Sequence, residues 1–178
     1  TSMGFTPLAG LPMGTRCGDI DPAIIPFLME KEGFNSGEIE HLMNRQSWIL
    51  GVSGISSDFR DVEDAMAAGH ERAQLAWDIF IHAAQKYIGA YVATLNGLDA
   101  LIFTAGLGEN SGPAREAICN NLDYLGIKID TEENQVRGVE KEVTAAASRV
   151  RIFIIPTNEE LMIARDTMAI VQSLDSNF

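Results

Sequence analysis

The chain of 178 residues is poor in positive charge and in long apolar runs. Its 13 Lys and Arg residues stand against 25 Asp and Glu, which gives a formal net charge of -12. Nucleic-acid backbones are held by clustered Lys and Arg, which this chain lacks. No apolar run approaches the roughly 20 residues that a membrane-spanning helix needs. We therefore expect a cytoplasmic protein that binds neither nucleic acid nor a membrane.

Cysteine and histidine are also scarce. Cys17 and Cys119 stand far apart and belong to no Cys-x-x-Cys or Cys/His cluster, so we predict two free thiols and no zinc site. The three histidines show no metal-ligand spacing, and no Gly-x-Ser-x-Gly segment supplies a nucleophile. These absences argue against covalent hydrolase chemistry and against a histidine metal centre.

The residues that are present predict an α/β fold. Hydrophobic residues make up 46% of the chain, enough for one good-sized core, and the length predicts a single domain. Apolar residues recur at helical spacing over residues 70–95. Two short apolar runs, 100–103 and 151–155, predict buried parallel-type strands, each followed by a helix. Residues 130–147 are polar and Ala-rich, which predicts a surface segment.

The segment after the first predicted strand is a candidate ligand site, because α/β proteins bind ligands beyond the carboxyl ends of their strands. Residues 103–111 read Phe-Thr-Ala-Gly-Leu-Gly-Glu-Asn-Ser. The two glycines of this predicted loop let a ligand approach the backbone, and Glu109 and Asn110 offer polar groups for an adenosine. A Gly-x-Gly pair without a third glycine or a P-loop lysine is a weak signal. On this motif alone, a simple turn is favoured.

A loop of small residues ends in Asp58-Phe59-Arg60 before a predicted helix. Asp58 can accept a hydrogen bond from a ribose or an amino group, and Arg60 can stack on a purine ring. Equally, Asp58 can cap the helix while Arg60 pairs with Asp61 or Glu63. The residues themselves leave both interpretations open.

Arg16 stands between Gly14 and Gly18 in a segment rich in glycine and proline. A planar, permanently charged guanidinium suits a phosphoryl group in transfer, whose transition state spreads negative charge over its oxygens. The alternative is a structural arginine paired with Asp19 or Asp21, which is the commoner fate of a lone arginine. Composition does not decide between the two.

The second predicted strand leads into Thr157-Asn158-Glu159-Glu160. Thr157 and Glu160 match the Thr-x-x-Glu capping box, which gives Glu160 a structural role. Glu159 is then left at the carboxyl edge of the sheet, where it can reach a magnesium ion directly or through water. The alternative is a solvated carboxylate that stabilises the first turn of the helix.

Five segments follow one another along the chain in a specific order. They read Thr-Ser-Met-Gly-Phe-Thr-Pro-Leu, Met-Gly-Thr-Arg-Cys-Gly-Asp-Ile-Asp-Pro, Gly-Val-Ser-Gly-Ile-Ser-Ser-Asp-Phe-Arg-Asp, Phe-Thr-Ala-Gly-Leu-Gly-Glu-Asn-Ser and Ile-Pro-Thr-Asn-Glu-Glu-Leu. Each segment is a weak signal by itself. Their joint order and spacing resemble those of the acetate kinase family over nearly the whole chain.

The resemblance implies a ribonuclease H-like/actin-like ATPase domain, in which helices flank a central mixed sheet. It also implies reversible transfer of the γ-phosphoryl group of ATP to acetate, giving acetyl phosphate and ADP, with Mg²⁺. Arg16 resembles the family arginine that steadies the phosphoryl group, and Glu159 resembles the glutamate associated with magnesium. The residues that resemble the adenosine pocket are Asp58, Phe59, Arg60, Gly106, Leu107, Gly108, Glu109 and Asn110.

The family pattern also includes an amino-terminal domain with an Asn-x-Gly-Ser-Ser-Ser phosphate loop, which residues 1–178 do not contain. The resemblance therefore implies that residues 1–178 are the carboxyl-terminal nucleotide-binding domain of a two-domain kinase. We expect this half to be inactive alone, because phosphoryl transfer needs several positioned groups at once. Propionate or butyrate as the acceptor, and a noncatalytic nucleotide-binding module, remain as alternatives. Family members usually dimerise through this half, so we expect a homodimer.

Overall fold

The computed structural model describes the backbone of residues 1–175 and the side chains of residues 1–174. The length of the chain predicts a single domain, but its residues group into two compact units, Thr1–Leu98 and Asp99–Phe178. The first unit is helical, whereas the second contains the sheet. The assignment of residues 1–178 to the carboxyl-terminal domain of a two-domain kinase stays a prediction.

The helices of the first unit are short apart from the last one. In chain order they are α1 (Ile24–Phe27, continued by a π-helical turn, Leu28–Glu32), α2 (Ser36–Arg45), α3 (Trp48–Ser53), α4 (Phe59–Ala67) and α5 (Glu71–Leu95). A capping box fixes the start of α2. The Asn35 side chain accepts hydrogen bonds from the backbone N–H groups of Gly37 and Glu38, and the Glu38 carboxylate accepts one from the N–H of Asn35.

The core of the first unit lies along the first half of α5. This helix confirms the prediction for residues 70–95: His70 caps its start, and Asn96 ends it with a left-handed φ of 58°. Helices α3 and α4 pack against α5, where they help to bury Trp77 and its neighbours. The second half of α5 is more open, and the side chain of Leu95 is 69% exposed.

The second unit is built on a three-stranded sheet. Its elements are β1 (Ala100–Phe103), α6 (Ala105–Asn110), α7 (Gly112–Cys119), a 3₁₀ turn (Asp123–Leu125), β2 (Lys141–Glu142), β3 (Arg151–Ile154) and α8 (Glu159–Asp175). The strand order is β1-β3-β2. β1 runs parallel to β3 and β2 runs antiparallel to it. The sheet is therefore mixed, and the α/β prediction is confirmed.

Two details of the second unit differ from the prediction. Ile152 and Ile154 of β3 are fully buried, but Ile102 of β1 is 53% exposed, because β1 is an edge strand with one side chain turned out. The segment 130–147 is not wholly at the surface, since it contains β2 and buries Asn134 and Val143 completely. Hydrogen bonds to Asn134, described below, offset the cost of burying its amide.

The two cysteines are free, as predicted, and both are buried. Burial raises the pKa of the Cys119 thiol to about 12, so that this thiol stays protonated at neutral pH. Burial also raises the pKa of Cys17. Across residues 1–175, none of the helices combines the length and apolar character needed to cross a bilayer.

Candidate functional site

A cavity of about 620 Å³ lies beside Arg16 in the first unit. Residues 13–16 form one wall, and α2 forms the other with Glu40, His41, Asn44 and Arg45. The lining is therefore dominated by polar and charged side chains.

Backbone hydrogen bonds fix the loop that carries Arg16. The N–H of Ser47 donates to the carbonyl of Thr15 and the N–H of Leu50 to that of Gly14, both at 3.0 Å. The Thr15 hydroxyl donates to the carbonyl of Asn44 at 2.8 Å. A Cβ atom added to Gly14 would come within 2.6 Å of the Ser57 carbonyl oxygen. The close approach needs a glycine, and the loop has little freedom to move.

The Arg16 side chain is half-buried and has no ion pair among the side chains of residues 1–174. Its Nη1 donates to Met13 Sδ at 3.3 Å, and a thioether is a weak acceptor. Asp19 instead accepts hydrogen bonds from the Gly10 N–H and the Tyr87 hydroxyl, and Asp21 accepts from the N–H of Ala23. The alternative that paired Arg16 with one of these aspartates is therefore wrong, and its guanidinium can bind a ligand.

Asp58 and Arg60 bind each other. Asp58 caps α4, because its Oδ1 accepts from the backbone N–H of Arg60 at 2.9 Å. The Arg60 guanidinium also pairs with the Asp58 carboxylate through Nε and Nη2. The cap confirms one of the two interpretations of Asp58, but the ion pair of Arg60 is made with Asp58 instead of with Asp61 or Glu63, the partners that this interpretation gave it. These hydrogen bonds lower the pKa of Asp58 to about 2.

The side chain of Arg60 is 82% exposed even though its guanidinium is paired. The carboxylate holds the guanidinium from its edge, which leaves a flat cationic face open to solvent. A flat exposed guanidinium is the geometry that stacking on an aromatic ring requires.

Phe59 anchors this pair to the core. Its ring meets Phe80 edge-on with the centroids 4.7 Å apart, and Trp77 with the centroids 6.5 Å apart. Both partners belong to α5, so Phe59 fixes the start of α4 and with it the positions of Asp58 and Arg60. Its expected contact with a ligand stays a prediction.

The glycine loop predicted after β1 is wrong, because its residues form the short helix α6. Ala105 starts the helix with a positive φ of 58°, and its N–H donates to Glu109 Oε1 at 2.6 Å. Asn110 Nδ2 donates to the Gly106 carbonyl at 2.9 Å. The side chains of Glu109 and Asn110 thus hold the helix together. At Gly106 an added Cβ would meet nothing within 4 Å, so this backbone is open to a ligand.

Arg115, which sequence reasoning missed, holds α6 in place. Its side chain is fully buried, with Nη1 donating to the Gly108 carbonyl at 2.9 Å. Nε donates to Asn134 Oδ1 at 2.7 Å, and Nη2 donates to the carbonyls of Asn134 and Val136. Burial lowers the pKa of Arg115. No pattern in the sequence marks this residue, since its partners lie 7 to 21 positions away.

Glu109 joins the two strand-to-helix junctions of the second unit. Besides Ala105, its Oε1 accepts from the Thr157 N–H at 2.7 Å and from the Thr157 hydroxyl at 3.1 Å. These hydrogen bonds to the ionised form lower the pKa of Glu109. The segment after β1 and the segment after β3 are therefore tied through one carboxylate.

The predicted capping box at α8 is wrong. Asn158 Oδ1 accepts from the N–H of Leu161 at 3.0 Å, which makes Asn158 the cap, while the Thr157 hydroxyl is bound to Glu109. Glu159 and Glu160 are both exposed, and neither carboxylate has a partner in the part of the chain that the structure describes. The geometry does not distinguish Glu159 from Glu160. The choice of Glu159 as the magnesium-associated residue therefore rests on the family resemblance.

Among the side chains of residues 1–174, no three His, Cys, Asp or Glu residues cluster, so a magnesium site made by protein groups alone is absent from that part of the chain. Mg²⁺ usually keeps several waters and binds one or two carboxylates together with substrate phosphates. A single exposed carboxylate with no partner, such as Glu159, fits that donor set.

Comparison with known proteins agrees with this fold. The family described as the acetokinase family matches residues 1–165. The acetate kinase of Moorella thermoacetica is 73% identical over 173 residues, which cover 97% of this chain and 44% of that protein. The crystal structure of Porphyromonas gingivalis acetate kinase superposes with a TM-score of 0.90 at 47% identity, covering 96% of this chain and 43% of the other. A propionate kinase from Francisella tularensis gives 0.85 at 43% identity, covering 92% and 41%.

These matches identify the fold class of the chain and also its family. With its mixed sheet flanked by helices, the fold is the ribonuclease H-like/actin-like ATPase domain of the kinases that it superposes on. The chain belongs to the acetokinase family. It spans less than half the length of the relatives that it matches.

Proposed function

We propose that the full-length protein transfers the γ-phosphoryl group of ATP to acetate, giving acetyl phosphate and ADP, and runs the reverse reaction. The observation that carries the proposal is the Arg16 guanidinium, which lines a polar cavity and makes no ion pair within the described side chains. The high identity to a protein named acetate kinase supports the choice of reaction.

Arg16 stabilises the phosphoryl group as it passes between an oxygen of ADP and a carboxylate oxygen of acetate. Transfer of this kind needs little covalent chemistry from the protein and depends on positioning and on neutralising charge. A planar guanidinium on a rigid loop offers two parallel N–H donors to the oxygens of the phosphoryl group. The hydrogen bonds from Ser47 and Leu50 to this loop hold that arrangement before the substrate arrives.

Two sets of residues, one in each unit, are our candidates for contacts with the adenosine part of the nucleotide. In the first unit, Asp58 orients Arg60, and the exposed guanidinium face stacks on the purine. In the second unit, the contact is made by the α6 segment, Gly106, Leu107, Gly108, Glu109 and Asn110, with the open backbone at Gly106 as the closest approach. Because Glu109 and Asn110 are already hydrogen-bonded, their main contribution is to shape this segment.

Glu159 is the residue that we assign to Mg²⁺, through one carboxylate oxygen or an intervening water. When bound, the ion neutralises charge on the phosphates. The part played by the protein is to present a carboxylate at the carboxyl edge of the sheet, where the Asn158 cap fixes the start of α8.

A second candidate is a kinase that prefers propionate or butyrate. The Francisella tularensis structure that matches 92% of this chain is described as a propionate kinase. One extra methylene in an acyl pocket changes discrimination by only about 1–3 kcal/mol, so the two activities can share a fold. A noncatalytic nucleotide-binding module is less well supported, because such a module would not need Arg16, an arginine without an ion pair that lines the cavity. The expected homodimer stays a prediction.

Calorimetric titration of the chain with ATP and Mg²⁺ tests the nucleotide site. We expect binding that Arg60→Ala weakens at least tenfold and that Arg165→Ala, which removes the same charge from exposed α8, leaves unchanged. No turnover of acetyl phosphate is expected from the chain alone. In the full-length protein, Arg16→Ala should lower kcat by about 10³-fold or more. Equal ATP affinity for Arg60→Ala and the parent chain would contradict the proposed pocket.

A further inference from the structure

Residues 10–19, which we call the Arg16 loop, double back so that the two ends of the segment lie side by side. The backbone N–H of Asp19 donates to the Gly10 carbonyl at 3.1 Å, and the N–H of Gly10 donates to Asp19 Oδ1 at 2.8 Å. Nearer the tip, the N–H of Met13 donates to the carbonyl of Arg16 at 3.2 Å. Gly10 and Asp19 therefore close the loop at its base.

The tip of the Arg16 loop is held against residues 43–50. Besides the hydrogen bonds from Ser47 and Leu50 described above, the N–H of Cys17 donates to the Met43 carbonyl at 2.9 Å. These hydrogen bonds fix residues 14–17 and do not reach Asp19. The base of the loop must therefore be held by other groups.

The side chain of Tyr87 fastens the base of the loop to α5. Its hydroxyl donates to Asp19 Oδ2, across 68 positions of sequence. Asp19 thus closes the loop with one carboxylate oxygen and binds α5 with the other. The hydrogen bonds from Tyr87 and Gly10 lower the pKa of Asp19, and the same pairing raises the pKa of Tyr87 to about 12. At neutral pH the pair is an ionised acceptor with a protonated donor, which is the stronger kind of hydrogen bond.

The backbone between Asp19 and Arg16 is closely packed. Gly18 has a positive φ of 68°, and a Cβ atom added to it would come within 2.9 Å of the Gly10 carbonyl oxygen. Two backbone segments in contact cannot shift independently of each other. A displacement of Asp19 should therefore be passed along the loop to Arg16, three residues earlier in the chain.

We infer that Tyr87 is a positioning residue for phosphoryl transfer, because through Asp19 it holds the base of the Arg16 loop and with it the guanidinium. The inference rests on the proposed function for the role of Arg16. It adds to that function a residue of α5 that does not line the cavity. All three residues belong to the first unit, so the tie does not depend on the second unit.

A tie that only stabilises the fold is the alternative explanation. In that case Tyr87→Phe lowers the free energy of unfolding, and the folded variant keeps the kcat of the parent. Any residual effect on kcat would then be the same factor whether or not Arg16 is present. A positioning role predicts instead that the effect of Tyr87→Phe depends on Arg16.

Steady-state kinetics of the full-length protein give the first test, with Tyr91→Phe as the matched control. Tyr91 lies one turn further along α5, with its ring centroid 6.0 Å from that of Tyr87, and the structure records no hydrogen bond from its hydroxyl. Tyr87→Phe should lower kcat for acetyl phosphate formation roughly five- to twentyfold and change KM for ATP less than about twofold, because a displaced Arg16 stabilises the transition state less well. Tyr91→Phe should leave both constants unchanged.

The same substitution in an Arg16→Ala background completes a double-mutant cycle. There Tyr87→Phe should lower kcat by less than about twofold, since no guanidinium remains to be displaced. Thermal unfolding of each variant checks that it is folded. A kcat that Tyr87→Phe leaves unchanged, or lowers by the same factor in both backgrounds, would overturn the inference.

Hydrogen exchange of residues 1–178 tests the tie without any measurement of activity. Tyr87→Phe should speed exchange of the Gly10 and Asp19 amides, which close the loop, by roughly fivefold or more, and leave the Ile81 amide of α5 unchanged. Unchanged exchange at Gly10 and Asp19 would overturn the inference whether or not the full-length protein is a kinase. Failure of the full-length parent to phosphorylate acetate would count against the proposed function, and hydrogen exchange would still decide whether Tyr87 holds the loop.

Discussion

The two strand-to-helix junctions of the second unit use their polar residues in opposite ways. β1 and β3 are parallel neighbours, so both junctions open at the same edge of the sheet. After β1, the side chains of Glu109 and Asn110 already have protein partners, Asn110 within its own segment and Glu109 both there and at Thr157. After β3, the carboxylates of Glu159 and Glu160 are exposed. The first junction therefore offers a ligand its backbone, and the second offers side chains.

The lengths of the two helices explain this difference. α6 has six residues and begins at a strained, positive φ, so it needs hydrogen bonds from outside its own backbone to persist. Glu109 and Arg115 supply them. α8 has 17 residues, and one cap at Asn158 is enough to start it. Its acidic first turn is consequently left available for a ligand.

The largest effect should come from removing the support of α6. Arg115→Met leaves the Gly108 carbonyl and the buried Asn134 without their donor, and each unsatisfied buried group costs about 1–3 kcal/mol. We expect the free energy of unfolding to fall by roughly 3 kcal/mol or more, as measured by urea denaturation. Arg165→Met, an exposed change on α8, should alter it by less than about 0.5 kcal/mol. Equal stability of the two variants would show that α6 does not depend on Arg115.

Glu109→Gln tests the tie between the junctions and should cost about 1 kcal/mol at neutral pH, because a neutral amide accepts more weakly than a carboxylate. The pKa of Glu109 is lowered from its ordinary value of 4.5. Its contribution to stability is therefore present above that value and is lost as pH falls through the lower folded-state pKa.

The difference in unfolding free energy between the parent chain and Glu109→Gln should accordingly shrink on acidification from pH 7 to below pH 4. Urea denaturation at several pH values measures it. Taking the difference removes the similar contributions of Asp58 and Glu142, whose pKa values are also lowered. A difference in unfolding free energy that does not vary with pH would contradict a stabilising role for the hydrogen bonds to the Glu109 carboxylate.

Asn158→Ala should cost about 1 kcal/mol through loss of the α8 cap. Glu160→Gln should have almost no effect, since Glu160 is not part of a capping box. Hydrogen exchange of the first-turn amides of α8 gives a local readout, with faster exchange expected in Asn158→Ala alone. Faster exchange in Glu160→Gln would show that Glu160 does cap α8, as the Thr-x-x-Glu pattern predicted.

Gly106→Ala should have the smallest effect on stability and a favourable one, up to about 1 kcal/mol, because alanine is a better helix former and the added Cβ meets open space. The same substitution should nevertheless reduce the affinity for ATP at least tenfold, as measured by calorimetry. Unchanged ATP affinity in this stabilised variant would show that the backbone at Gly106 does not approach the nucleotide.

Much of the fold was predictable because it follows from local pattern. α5 is 25 residues long, so its apolar spacing repeats often enough to be unambiguous. β1 and β3 each consist of a short apolar run, and both were located correctly. α6 was missed because two glycines lower its helix propensity by about 1 kcal/mol each, and its stabilising partners are distant in sequence.

The same reason explains the errors at the candidate sites. Thr157 was predicted to cap α8, but it binds Glu109, which lies 48 residues earlier in the chain. The cavity beside Arg16 depends on α2, whose register against the loop is set by hydrogen bonds such as that from Thr15 to Asn44, 29 residues away. Residue type indicated which groups matter. Their partners required the three-dimensional structure.

Both tryptophans of the chain, Trp48 and Trp77, fall in the first unit. Trp77 contacts the ring of Phe59, the residue before Arg60, and the indole N–H of Trp48 is buried without a hydrogen-bond partner among the described residues. Intrinsic tryptophan emission from residues 1–178 therefore reports on the helical unit alone, because the unit that contains the sheet has no tryptophan. If a purine binds next to Phe59, as we propose, it should change the emission of Trp77, which would then be a label-free optical probe of nucleotide binding.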